Sequence, residues 1–279
     1  MTKGPRLRRF LSHRAAVFSA VILFLFIVGS LLAPWVTSHS PFEVDSAKLS
    51  LSPFADASHW LGTDDVGRDL FSRLLYGARL SLGIGFLAVL LSLIVGLPLG
   101  LWAGFAGGRV DQIIMRMIDV LMSIPNILLA IVLVAILGPG INNTILAVSF
   151  VGLPNLVRVV RGVVLGEREK LYVQAAQSYG SSRLRILGRH ILPNCLAPII
   201  VQATLGFSDA ILNAAALGFL GLGAQPPTPE WGVMLADSRS YLESAWWLVT
   251  LPGACILLSS LCFNLLGDGL RDAFDPRLL

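Results

Sequence analysis

Apolar residues in this chain run in long, nearly unbroken stretches rather than in the alternating or three-to-four spacing of a water-facing fold. Six windows meet or approach the roughly 20 residues a helix needs to cross a hydrocarbon core. They are residues 15–36, 80–106, 113–137, 141–165, 196–222 and 245–266. Backbone groups facing lipid must be paired internally, which leaves helices or closed barrels. The runs lack the period-two pattern of barrel strands. The pattern predicts an all-α integral membrane protein of six transmembrane helices.

The polar connectors set the orientation. Sixteen of the 21 Lys and Arg residues fall on one side if the N-terminus is inside: Lys3, Arg6, Arg8, Arg9, Arg14, Arg109, Arg116, the seven from Arg158 to Arg189, Arg271 and Arg277. That excess marks the cytoplasmic side, with both termini in. The first run has a basic start, as a signal peptide does. It is too long for one, and LLAPW is a poor cleavage site, so it reads as a retained helix.

Composition agrees. Of 279 residues, 55% are hydrophobic and 14% charged, with mean hydropathy +0.75; a soluble domain carries about 25% charged residues. The +4 net charge implies no nucleic-acid partner, because the basic residues are scattered over several loops without a basic-aromatic face. Membrane lipid is the implied surroundings. Cys195, Cys255 and Cys262 lie in or beside apolar runs without metal-ligand spacing, and read as buried free thiols.

Between the first two spans lies an external stretch, 37–79. Thr63 or Asp64 offers an N-cap there. Leu70, Phe71, Leu74, Leu75 and Ala78 then share one face. This predicts an amphipathic helix lying on the outer surface and leading into the second span. Its carboxylates lack metal-ligand spacing.

The most polar connector on the inner side is 167–194, EREKLYVQAAQSYGSSRLRILGRHILPN. Tyr172, Ala175, Ala176 and Tyr179 fall at helical spacing on one face. Gly180 permits a bend, a second short helix runs from Ser182 toward His190, and Pro193 stops it before span five. Small alanines let another surface approach closely. The helix suits a groove on a soluble partner; it equally suits a rest on lipid headgroups.

QAAQSYG followed by LP resembles the EAA loop of ABC importer permeases, E-A-A-x3-G-x9-I-x-L-P. Ala175, Ala176, Gly180, Leu192 and Pro193 match, while Gln174 replaces the glutamate and His190 the isoleucine. The replacements keep the shape and remove one ion pair available to an ATPase. HWLGTDDVGRDLFSRLLYGARLSL, GGRVDQIIMRMIDVLMSIP, ALGFLGLGAQPPTPEWGVML and FNLLGDGLRDAFDP resemble the C-type permease subunits of dipeptide, oligopeptide and nickel importers. The stretch 193–232 looks most like the dipeptide-importer members.

The resemblance implies a type I ABC importer permease fold. Residues 80–270 would form a five-helix permease core. Residues 1–79 would be an N-terminal addition of tail, first span and external segment, and 271–279 a cytoplasmic tail. It implies a second homologous permease, two cytoplasmic ATPase subunits that bind ATP and Mg, and an extracytoplasmic substrate-binding protein. The ATPase-coupling role falls on Gln174, Ala175, Ala176 and Gly180, with Leu192 and Pro193 as support. No GxxxxGK[ST] phosphate loop occurs in the chain, so nucleotide and any cofactor belong to partners.

Charges inside spans cost about 2.5–3.5 kcal/mol on insertion scales. Asp209, with Ser208 and Asn213 nearby, is the clearest case and the candidate translocation path. The alternative is a helix–helix hydrogen bond. Gly96, Gly100, Gly104 and Gly108 recur every four residues, as close helix packing requires, and Gly218, Gly221 and Gly223 suggest the same near the outer end of span five. Pro226, Pro227 and Pro229 bar a regular helix start; a short re-entrant or surface helix is expected over 231–241, with Trp246 and Trp247 at the bilayer interface.

Enzymatic readings find little support. The four histidines, His13, His39, His59 and His190, lie outside the spans or at their edges, HExxH is missing, and Asp209 has no deep aspartate partner. An ATPase-independent carrier would have no need of a docking loop. Among importers, the resemblance favours dipeptides or short peptides, with nickel or glutathione as alternatives.

Overall fold

The computed structural model describes residues 5–274. Lys3, Arg277, the side chains of Arg6 and Arg8, and the last five positions of the expected 271–279 tail lie outside the described residues.

Among the described residues the chain is helical, with two isolated bridges in the external stretch. After α1 (Pro5–Ser12), α2 (Arg14–Val36) is the first span. α3 (Leu70–Ala106) and α6 (Ile141–Arg168) are the second and fourth. The fifth runs over Arg183–Phe219. It comprises α8 (Arg183–Arg185), a π-helical turn Ile186–Ile191, and α9 (Leu192–Phe219). α11 (Trp246–Phe274) is the sixth. Between α3 and α6 stand α4 (Gly108–Met122) and α5 (Asn126–Leu137), bent by 91°. α7 (Leu171–Ser178) and α10 (Trp231–Ser238) are short, one on each side of the membrane.

Three expectations change. The third span is not one straight helix over 113–137. Pro125 has no N–H and pushes Ile124 out of the helical region, so the rod breaks at Ser123–Pro125. α4 then lies against α6 by its apolar side, with Ile118 buried beside Leu153 and Val157. Arg161 grips Asp111 with two hydrogen bonds of 2.5 and 2.6 Å, a bidentate geometry.

The helix at Leu70 is not a separate surface element. It is the first part of α3, and Leu70, Leu74 and Ala78 are buried in one cluster with Trp231 and Met234 of α10. Neither Thr63 nor Asp64 caps it. Asp69 does, its carboxylate accepting from Ser72 N at 2.8 Å and Ser72 Oγ at 2.7 Å. Asp64 instead accepts from Arg68 N at 2.8 Å and Arg68 Nε at 2.6 Å. Thr63 Oγ1 accepts from Leu51 N at 3.0 Å. The tight turn uses both residues before the helix can begin.

Nor does Pro193 stop a helix. It lies in the first turn of α9, where a missing N–H is tolerated, and the π-helical turn before it keeps the rod continuous.

α10 is short and packed into the bundle, with Trp231, Gly232, Val233, Met234 and Ser238 buried. Glu230 caps it, accepting from Val233 N at 3.0 Å and from Ser81 Oγ of α3 at 2.9 Å. Burial pushes the Glu230 carboxyl above its ordinary range, against the opposing pull of these donors. Trp231 Nε1 donates to Leu74 O at 3.1 Å.

α3 and α6 approach most closely along the glycine row. A Cβ added at Gly96, Gly100 or Gly104 would sit 2.9, 2.6 or 2.7 Å from a side-chain atom of Leu156, Val160 or Val164 respectively. Gly108 lies beyond this seam, with open space around it. Gly100→Val should therefore lower stability in detergent by at least about 1–3 kcal/mol through overpacking. Gly162→Ala on α6, where nothing lies within 4 Å of the added carbon, should instead keep or raise stability, by up to about 1 kcal/mol. Detergent-titrated unfolding of both variants checks the difference.

Candidate functional site: a cytoplasmic helix and a membrane groove

α7 hangs below α6 after a two-residue turn. Its end is specified locally. Gly180 adopts φ +75°, its N–H bonds to Gln177 O at 2.9 Å, and Ser181 N bonds to Ala176 O at 3.0 Å. Those two bonds form a Schellman motif, and the left-handed position is why glycine stands there. α8 leaves in a new direction.

The face of α7 divides differently from the expected stripe. Val173 is fully buried, and Tyr172 and Ala176 pack beside it in one cluster with Val160, Val164, Ile186, Ile191 and Cys195. Ala175 and Tyr179 point away from this cluster and are exposed. Leu171, Tyr179 and Leu184 are 81%, 91% and 70% exposed. Gln174 is also exposed, its Nε2 donating to Glu169 O at 3.1 Å. Leu192 is half-buried at the edge of the cluster, and Pro193 is exposed.

A polar brace joins α7 to the spans on either side of it. Tyr172 Oη donates to Glu167 Oε2 of α6 at 2.6 Å, and Asn194 Nδ2 of α9 donates to Tyr172 Oη at 3.1 Å. Lys170 Nζ holds the other oxygen of Glu167 at 2.6 Å. Burial, then the bond to Glu167, pushes the Tyr172 phenol up to about 12. The hydroxyl is therefore a fixed donor at neutral pH. Periodicity gave no hint of this brace; the signal available was a buried-type Val flanked by Tyr in an otherwise polar loop.

The second feature is a narrow groove, with a cavity volume of about 40 Å³, between α3, α5, α6 and α9. Asp209 and Asn213 line it, together with Asn126, Asn155 and Gln202. Ser208 does not. It is buried on the other side of α9, where its Oγ lies 2.6 Å from Ser260 Oγ of α11. Gln202, Gly206, Asp209 and Asn213 stand at i, i+4, i+7 and i+11, a polar stripe of helical period that is legible in the sequence. Asn126 and Asn155 come from other elements and are not part of any such stripe.

Residues 96–279 match the family described as binding-protein-dependent transport system inner membrane component, and residues 6–53 match the N-terminal transmembrane domain of oligopeptide transport permease C. The chain is 52% identical to the di/tripeptide transport system permease protein DppC of Pseudomonas aeruginosa, over 96% of this chain and 90% of that protein. It is 53% identical to the dipeptide transport system permease protein DppC of Escherichia coli K12, over 96% and 91%. The inward-facing MetNI methionine ABC transporter superposes with TM-score 0.60 at 18% identity, covering 72% of this chain and 96% of that chain. The chain belongs to the binding-protein-dependent inner membrane components, the permeases of ABC importers.

Tyr172→Phe removes the brace but not the packing. Amide exchange across 171–180 should become faster by an amount corresponding to about 1 kcal/mol, while the spans keep their protection. The phenol's folded value lies above its unfolded value near 10. The brace is thus fully present from neutral pH to about pH 10, weakening above it as the phenol ionises. It weakens also at acid pH as Glu167, which burial pushes up but Lys170 and Tyr172 hold low, takes up a proton. Exchange in the parent should show no added pH dependence between neutrality and about pH 10.

Proposed function

We propose that this chain is one half of the membrane path of an ATP-driven importer for dipeptides or short peptides. The relatives named above are described as di/tripeptide and dipeptide permeases and align over nearly the whole chain, which supports the substrate class. A second homologous permease completes the path, and an extracytoplasmic binding protein delivers substrate. Two cytoplasmic ATPase subunits hold ATP and Mg; this chain is a non-catalytic subunit. The core is 80–270, with 1–79 as an N-terminal addition and 271–279 as a tail. α3 passes through residue 80 unbroken, so addition and core share one rod.

One observation carries the reading: α7 buries one face in the bundle and leaves an apolar face uncovered on the cytoplasmic side. Leu171, Ala175, Tyr179 and Leu184 make a surface that a helix-binding groove would cover. Gln174, Ala175, Ala176 and Gly180 form the ATPase-coupling element. Leu192 and Pro193 support it from the start of α9. Asp209 and Asn213 lie on the route, and Ser208 holds α9 to α11. Nucleotide-driven closure of the ATPases pushes on α7, and the push tilts α6 and α9 about the groove.

Ala175 is exposed, so Ala175→Trp leaves the fold intact and tests docking alone. The variant should insert and retain the second permease while the copurifying ATPase falls by at least about tenfold. Uptake by the reconstituted complex should be lost with it, and the parent complex should take up dipeptides in preference to longer peptides or nickel. Full ATPase retention by Ala175→Trp, or uptake that needs no ATPase, contradicts the proposal.

A further inference from the structure

Among the described residues, Asp209 is the one ionic side chain lining the groove, and no Lys, Arg or His faces it there. Among the described residues nothing pairs with its carboxylate, and the only bond at this residue runs to its backbone oxygen, from Asn213 Nδ2 at 2.8 Å. Asn126, Asn155 and Gln202 are likewise without a side-chain partner among the described residues. Four polar side chains from three different helices thus face the groove uncommitted, open to water or to a passing solute.

Their chemistry is complementary to a peptide. A side-chain amide offers a donor and an acceptor, as a peptide group does. An ammonium offers three donors and one positive charge. A single carboxylate between apolar walls attracts cations and repels anions more strongly than it would in water. Resting on the reading of the groove as the peptide route, we infer that Asp209 is the counter-charge for the ammonium group of the transported peptide. Asn126, Asn155 and Gln202 take its peptide linkage. One ionic contact in a wet groove holds a solute in register without trapping it, as passage requires. The groove therefore adds a charge filter of its own to whatever the binding protein selects.

The test is competitive uptake of Ala-Ala and N-acetyl-Ala-Ala, which lacks the ammonium, by the complete complex in liposomes, using the same binding protein for the parent, Asp209→Asn and Asp209→Glu. The binding protein's own preference cancels in the comparison. Asp209→Asn should lower the Ala-Ala to N-acetyl-Ala-Ala uptake ratio by about tenfold, the size of one charge-assisted contact. Asp209→Glu should keep the ratio within about twofold, and ATP hydrolysis stimulated by the loaded binding protein should persist in both. An unchanged ratio in Asp209→Asn overturns the inference. So does loss of the second permease from the Asp209→Asn complex, which would make the carboxylate a subunit-pairing group. Ala203→Trp, which fills the same groove, separates the two levels. If its assembled complex transports at the parent rate, the groove is not the route and the underlying reading fails. If it blocks uptake while Asp209→Asn leaves the ratio unchanged, only the ammonium contact fails.

Discussion

Burial of Val173 is the contact on which the proposed coupling through α7 depends. A helix of eight residues has little stability of its own in water. α7 exists as a firm lever because Val173, Tyr172 and Ala176 share one apolar cluster with Val164 of α6, Ile186 and Ile191 of the π-helical turn, and Cys195 of α9. Gly180 closes its end, and the Glu167–Tyr172–Asn194 brace ties it to both neighbouring spans. In the proposed coupling, a push on its exposed side would be delivered to two rods at once. If α7 were a loosely tethered loop, the same push would be absorbed in bending it.

What the rods do with that push follows from their own packing. The glycine row of α3 brings its backbone against Val160 and Val164 of α6, the same two valines that belong to the cluster beneath α7. The lever and the closest helix–helix seam are therefore one contiguous piece. At the outer end, α10 is pinned by Glu230 and Trp231 to Ser81 and Leu74 of α3. Between these two fixed ends lies the groove, where the polar stripe of α9 faces side chains of α5 and α6 with few internal bonds. Tight packing at both ends and unspent polar groups in the middle suit a gate that moves as blocks around a wet centre.

The spans were legible because the bilayer leaves so little choice: long apolar runs had to be helices. The break at Ser123–Pro125 was harder to see, since a mostly apolar window of 25 positions can be straight or bent by 91°; its marks were Pro125 and the charged Arg116 and Asp119 before it. Asp69 was hidden among competing caps, because Thr63, Asp64 and Asp69 are equally suited chemically and only the turn geometry chooses. In the coupling loop, spacing placed Tyr172, Ala175, Ala176 and Tyr179 together. Burial divides them, two inward with Val173 and two outward. Ser208 and Asp209 are adjacent in sequence and lie on different sides of α9, one against Ser260 and one in the groove.

The central claim, that α7 and α6 move as one body, is tested most directly by the distance between spin labels at Gly162→Cys on α6 and Tyr179→Cys at the end of α7, both exposed positions. The complete complex is measured nucleotide-free and again with ATP trapped in the ATPases. A rigid lever requires the same distance distribution in both states, while the distance from Gly162→Cys to the second permease changes. A shift between 162 and 179 on ATP trapping, with the distance to the second permease unaltered, would mean that α7 swings on its own and that the force never reaches the groove.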